Sequence, residues 1–481
     1  MSHHLLKLSP TDVLFFRDGR PMEGASCGHG AAWPLPNVLS SAIHHALRRA
    51  DLADLHQHRP ARNGKILNQN RVTKGREFGS LQVAGPFPVK AGKWLFPRPA
   101  DADKTQTSAT THRPLGNAIK GAASSLEHEL LQVVNTYPPS KDKAEQWLDE
   151  DAYNEYLRGE HSMDENAPGS GKFFKDADLF TAEQNIGIGI DPETETQNGE
   201  QFYSASYLRL TADTQLGLIA HCMDKGTQGI AADNDLIAQT FPNSHHETHI
   251  LAGGQQRTCT VKRETREKLP LPLGPQIEGK RVRWTLLTPA IFPQLSVSEK
   301  NTTEHPGGWL PTWVHPETMK VQLKDPQASA RGSESREGWR QRVAALPAIN
   351  ATLVATSIPR AVTVTGWALS DSDDAGNLMP GGARATHLAV PAGAVYYFEA
   401  SSEEEARKLA AALNWHGVAT SVPLEDAVAT TVSVVGSQTG RSANSPQARG
   451  GGHSIQNRRS SLMGEKGFGL GVCSTWQPHT I

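Results

Sequence analysis

The segment Gly464-Glu465-Lys466-Gly467-Phe468-Gly469-Leu470-Gly471 constrains this chain more than any other. Four glycines in eight residues let the backbone take positive φ repeatedly. They also let an anion or another backbone approach the peptide N–H groups with no Cβ in the way, while Lys466 adds charge. The stretch reads as a cradle for phosphates, and equally as a glycine-rich hairpin that only turns the chain. Arg458 and Arg459 precede it and Val472 to Trp476 follows as a short strand, so the glycines lead into a strand. A Rossmann fingerprint or a P-loop sets its glycines between a strand and a helix N-terminus, and neither pattern fits here.

A chain of 481 residues is long enough for two or more domains, each with a core. Hydrophobic residues make up only 37%, with 43 Gly and 31 Pro, which places much of the length in loops and insertions. With a net charge of -2, any face for nucleic acid has to be a local patch. Cys27, Cys222, Cys259 and Cys473 lie far apart and form no CxxC pair. That suits a reduced, cytoplasmic protein and argues against a disulfide scaffold or a structural zinc site. No apolar run approaches membrane-spanning length and no signal-peptide core is present, so a soluble protein without a membrane partner is expected.

Leu5 to Leu8 and Val13 to Phe16 read as strand material around the turn Ser9 to Asp12. Arg17-Asp18-Gly19-Arg20 then sets two guanidinium forks around a tight turn, able to reach a phosphate or base, or to pair with carboxylates. Gly24 to Gly28 matches G-x-S-x-G, yet a charged turn precedes it and no helix follows, so a serine-hydrolase elbow is rejected. Val38, Leu39, Ala42, Ile43, Ala46 and Leu47 recur at helical spacing, with Asn37 placed to cap.

Residues 56–115 and 135–172 lose periodicity and read as insertions, the first carrying Arg71, Lys74 and Arg76. A helix-like pattern runs from Trp147 to Leu157 inside the second. Ile186 to Ile190, Phe202 to Leu210 and Gly217 to Ala220 read as strands. His245, His246 and His249 lack an acidic or cysteine partner set, and no metal or cofactor is expected. After a double-glycine turn at Gly253-Gly254, the polar stretch 321–350 reads as an interdomain linker or an inserted segment. Strand patterns resume at Ala361 to Leu369, Thr386 to Val390 and Val395 to Phe398, and Ser402 to Glu405 is a capping box opening a helix. Gly440 to Gly452 reads as a loop.

Strands with amphipathic helices at both ends are compatible with an α+β chain of two ferredoxin-like βαββαβ domains, the scaffold of RNA-recognition modules. The division read from the sequence is 1–320, a segment 321–350, and 351–481.

Four segments, in order, resemble the RAMP superfamily of CRISPR proteins: Phe16 to Pro21, Ile250 to Arg257, Val390 to Phe398 and Gly464 to Gly471. The specific resemblance is to the family of the third subunit of the type III-B Cmr effector complex. It implies a non-catalytic RNA-binding subunit with two ferredoxin-like domains. Such a subunit grips the crRNA 5′ handle and bridges the large palm-domain subunit to the backbone subunits. Carried onto this sequence, it makes Arg17, Arg20, Gly464, Lys466, Gly467, Phe468 and Gly469 the handle-contact candidates, with Arg458 and Arg459 beside them. Phe468 reads equally as a base-stacking ring and as a plug anchoring the loop. The alternative is a RAMP-type endoribonuclease using His29, His44 or His45 as acid or base.

Overall fold

The computed structural model describes residues 3–16, 27–29, 32–50, 81–102, 112–119, 130–136, 145–159, 171–191, 193–222, 235–243, 247–264, 266, 268–297, 303–368, 371–372, 378–379, 382–419 and 454–480. In the first half these form β1 (His4–Pro10), α1 (Pro36–Arg49), β2 (Gln82–Lys90), β3 (Lys93–Pro97), β4 (Trp147–Asp149), α2 (Glu150–Arg158) and β5 (Phe173–Phe174). There follow β6 (Phe180–Ile190), β7 (Gln197–Leu210), β8 (Thr214–His221), α3 (Leu236–Thr240), β9 (Thr248–Leu251) and β10 (Thr258–Glu264). The second half adds β11 (Arg281–Leu286), α4 (Arg336–Ala345), β12 (Ala351–Ser357), β13 (Val395–Ala400), α5 (Glu403–Leu413) and β14 (Gly471–Thr475).

The first sheet runs β9-β10-β1-β8-β2-β3-β4-β5, and β1 is antiparallel to both of its neighbours. Period-two alternation explains its burial on both faces. Leu6 and Leu8 of β1 point into a core capped by Leu39, Ile43 and Leu47 of α1. Leu5 points the other way, into a core shared with Tyr153, Tyr156 and Leu157 of α2. The helix α1 starts at Pro36, with Leu35 as its N-cap and no side-chain cap. Asn37 therefore does not cap: proline's fixed φ makes it a starting residue, and it sets the boundary two residues earlier.

The second sheet runs β12-β13-β11-β14, every neighbouring pair antiparallel. Val282, Trp284 and Leu286 of β11 pack against Ala406, Leu409, Ala410 and Leu413 of α5. Ser402 caps α5, its side chain accepting from the Glu405 N–H at 3.2 Å. The Glu405 carboxylate turns away to the Asn350 N–H at 2.6 Å, so only half of the expected capping box forms.

One reading is revised. Residues 82–97, read as part of an insertion, form the inner strand β2 and its partner β3, with Val83, Phe87, Val89 and Phe96 buried. Gly85, Pro86 and Pro88 hid the pattern, because prolines ordinarily argue against an inner strand. The segment 321–350, read as a linker or an inserted segment, contains α4, which buries none of its own residues. Arg71, Lys74, Arg76, His245, His246 and the loop 440–452 lie outside the described residues.

The third core holds the two halves together. Phe87, Val89 and Trp94 of the first sheet meet Leu287, Trp415, Leu470 and Val472 of the second unit there.

Candidate nucleic-acid interface

The glycine segment sits where the two sheets meet. Gly464–Lys466 form one 3₁₀ turn, entered through Met463 at φ 57° and left through Gly467 at φ 104°, before Gly471 opens β14 as expected. A Cβ at Gly467 would lie 3.0 Å from the Val83 carbonyl oxygen of β2 and 3.3 Å from Pro36 at the start of α1. One at Gly469 would lie 2.0 Å from the Ser460 backbone nitrogen. Both positions therefore require glycine, through left-handed backbone and through close approach.

The backbone amides of this loop are mostly spent within the protein. Lys466 N–H donates to Met463 O and Gly467 N–H to Gly464 O, each at 3.0 Å. Gly469 N–H donates to Pro289 O at 2.7 Å, and Leu470 N–H to the Thr288 hydroxyl at 3.0 Å. An open amide cradle along the whole segment is thus not what the chain builds: glycine serves packing here more than anion access. Phe468 is fully buried beside Ile291, Val364 and Ala389, so it plugs the loop into the protein and offers no ring face for stacking. Lys466 is half-buried, and its ammonium makes no hydrogen bond or ion pair with a described residue.

The two arginines upstream divide in role. Arg459 donates from Nε to Ala412 O at 2.6 Å and from Nη2 to Asn457 at 3.2 Å, so it satisfies the carbonyl end of α5. Arg458 donates from Nη1 to Gln82 Oε1 at 3.1 Å, while its Nε and Nη2 are buried without a partner. Burial pulls both guanidinium pKa values down to about 10, opposed at Arg458 by Glu465. Nε and Nη2 form the edge that takes an oxyanion through two parallel hydrogen bonds.

His3 joins this cluster. Its ring stacks on His221 at 5.1 Å, both ring nitrogens are buried and unpartnered, and its pKa falls to about 3. Burial is the main cause, followed by His221 and Arg458. Sequence reasoning missed His3 and Gln82. Only strand register, which pairs Gln82 with His221, brings them under the loop.

Arg17 and Arg20 lie outside the described residues. Their neighbour Phe16 is buried in the core that includes α1, and Gly254 N–H donates to Phe15 O at 2.8 Å, so the double-glycine turn holds the start of that segment. His44 is half-buried and His45 exposed, both in the second half of α1, and the side chain of His29 is not among those described. His249 lies on β9 with its Nδ1 3.3 Å from the Thr260 hydroxyl. Among the described residues no group of His, Cys, Asp or Glu is arranged to hold a metal, and no helix is long and apolar enough to cross a membrane.

Residues 6–420 match the family described as CRISPR-associated protein (Cas_Cmr3). Among solved structures, the chain is similar to a chain of the type III-B Cmr-beta complex bound to cognate target RNA and AMPPnP. The two are 12% identical, 84% of this chain and 86% of that one are covered, and the TM-score is 0.35. For a chain of Cmr-beta bound to cognate target RNA the figures are 14% identity, 82% and 86% coverage, and a TM-score of 0.35. For a chain of the Csm1–Csm4 cassette with AMPPNP they are 10%, 64% and 86%, and 0.23. No curated protein matches.

Proposed function

The chain belongs to the CRISPR-associated Cas_Cmr3 family, and we infer from this that it is a non-catalytic, RNA-binding subunit of a type III-B Cmr effector complex. In this reading it holds the 5′ handle of the crRNA and bridges the large palm-domain subunit to the backbone subunits. The observation that carries the reading is the junction under the glycine loop. There, Lys466, whose ammonium bonds to no described residue, sits on a turn packed against the N-terminus of α1, which has no acidic residue in its first turn, and the buried Arg458 guanidinium adds positive charge to the same junction. Cations and an uncapped helix start together favour a phosphate backbone. Gly464, Gly467, Phe468, Gly469 and Arg459 shape and brace this surface, and the family resemblance adds Arg17 and Arg20 as handle-contact candidates.

Two ferredoxin-like domains are part of the proposal. The strand orders β10-β1-β8-β2 and β12-β13-β11-β14 both support it, since each sets the first and third strands side by side at the centre with antiparallel neighbours. In this reading the division falls between residues 265 and 280 rather than near 320, which membership of β11 in the second sheet supports.

The test is binding of repeat-derived handle RNA as a function of salt. Lys466→Ala is expected to weaken binding uniformly across sequences and to lower the log–log salt slope by about 1. Unchanged affinity and slope would remove the handle from this surface. Specific cleavage of repeat RNA in chelator, lost in His44→Ala or His45→Ala, would assign an endoribonuclease instead.

A further inference from the structure

A second candidate site is lined by none of the glycine-loop residues. Between the segment before α1, the end of β3 and the start of β4, a cleft of about 760 Å³ is walled by Trp33, Trp147 and Phe180. That volume falls within the ~300–1,000 Å³ of small-molecule sites and exceeds what one amino-acid side chain fills. The Trp33 ring centroid lies 5.7 Å from that of Trp147 and 6.0 Å from that of Phe180. Both indoles are pinned: Trp33 Nε1 donates to Pro86 O at 3.0 Å and Trp147 Nε1 to Asp176 at 2.7 Å. All three rings are half-buried, so the wall is fixed before anything binds.

The polar end of the cleft is incomplete. Glu145 Oε2 is buried and receives no hydrogen bond, while Oε1 lies 3.5 Å from Lys175 Nζ. Arg98 sits alongside, donating from Nε to the Glu145 carbonyl at 2.6 Å. The cleft therefore combines flat apolar walls, a buried acceptor that lacks a donor, and one cation in its lining, Arg98, while the lining carboxylate of Asp176 is bonded to Trp147. A buried carboxylate oxygen is costly until an N–H reaches it. A lysine or arginine from a partner protein would supply one but would also confront Arg98 and Lys175. A nucleotide meets all three conditions: its base has a π-face, an amino group that donates, and an attached phosphate for Arg98.

We propose that this cleft takes one unstacked, amino-bearing base of single-stranded RNA between Trp33, Trp147 and Phe180, with Glu145 accepting from the base amine. The proposal rests on the RNA-binding reading but uses residues remote in sequence from the glycine loop, so the two fail separately. The probe is handle RNA carrying 5-iodocytidine, photocrosslinked to the full chain and mapped by peptide mass spectrometry. Crosslinks are expected on Trp33, Trp147 or Phe180. Trp147→Leu is expected to weaken binding roughly 5- to 150-fold, the equivalent of about 1–3 kcal/mol of stacking. Glu145→Gln, which leaves the aromatic wall intact, is expected to remove the preference of cytidine over uridine monophosphate as competitor.

Crosslinks elsewhere, with Trp147→Leu binding as tightly as the native chain and Lys466→Ala still impaired, would overturn the cleft and leave the handle reading standing. Displacement of RNA by an arginine-containing peptide but by neither nucleotide would assign the cleft to a protein partner and overturn the proposal. A native chain that binds no RNA would overturn both.

Discussion

His416 is fully buried with both ring nitrogens engaged: Nε2 lies 2.8 Å from Leu273 O, and Nδ1 accepts from the Val418 N–H at 3.3 Å. Only the neutral ring with its proton on Nε2 serves both partners, and burial pulls the pKa down to about 4. His3, held near 3 by burial, His221 and Arg458, has the same sign. A folded-state pKa below the unfolded value of about 6.5 means the unfolded chain takes up the proton first. The stability these rings contribute is thus complete above pH 6.5 and is lost as pH falls toward 4 and 3. The expected loss is about 1.4 kcal/mol per pH unit for each ring. Urea unfolding across pH 7 to 4.5 should show this decline, and His416→Gln, which can keep both hydrogen bonds, should lower its slope by one ring's share. A slope unaltered in that variant would sink the assignment. Nothing in the sequence marks His3 or His416 as special, because desolvation depends on which strands become neighbours. Phe468 was ambiguous for the same reason: its neighbours decide between stacking platform and plug.

At the scale of elements, local pattern carried far where one face or one turn decides. The periodicity of Leu39, Ile43 and Leu47 marks α1, Ser402 marks the start of α5, and the apolar run Leu5 to Leu8 before the turn at Ser9 to Asp12 marks β1. It failed where a strand is interrupted by prolines, as in β2, and where glycines are required by packing rather than by a ligand. The glycine loop allows a sharp comparison. Gly469 has φ 78° and no room for a Cβ, whereas a Cβ at Gly464 would meet Arg458 Cβ at 3.4 Å, an ordinary contact. Gly469→Ala is therefore expected to cost about 1–3 kcal/mol or more in strain, and Gly464→Ala no more than about 0.5 kcal/mol. Urea midpoints of the two variants check this, and equal losses would mean that the loop is held by something other than its backbone.

At the scale of the whole molecule, one carboxylate ties the two sheets together. Asp101, on the segment that continues β3, accepts from Tyr156 of α2 at 2.6 Å, from Tyr397 of β13 at 2.8 Å and from Arg283 of β11 at 3.1 Å. Arg283 completes its set with Ser474 of β14 at 2.9 Å and the Tyr156 carbonyl at 3.2 Å, and lies 4.3 Å above the Tyr156 ring. Every one of these groups is buried, and the tyrosines' pKa values are driven upward, mainly by burial. A fully bonded buried pair adds little net stability over an apolar replacement, but removing one partner leaves the other charge stranded and costs about 3–5 kcal/mol. Because the network and the shared core span both units, the cost has to fall on both sheets at once. Asp101→Ala is therefore expected to lower a single cooperative transition, followed in parallel by tryptophan fluorescence and far-ultraviolet circular dichroism. Two separated transitions, with only one displaced by the substitution, would show instead that the sheets fold independently and that Asp101 braces a contact between finished domains.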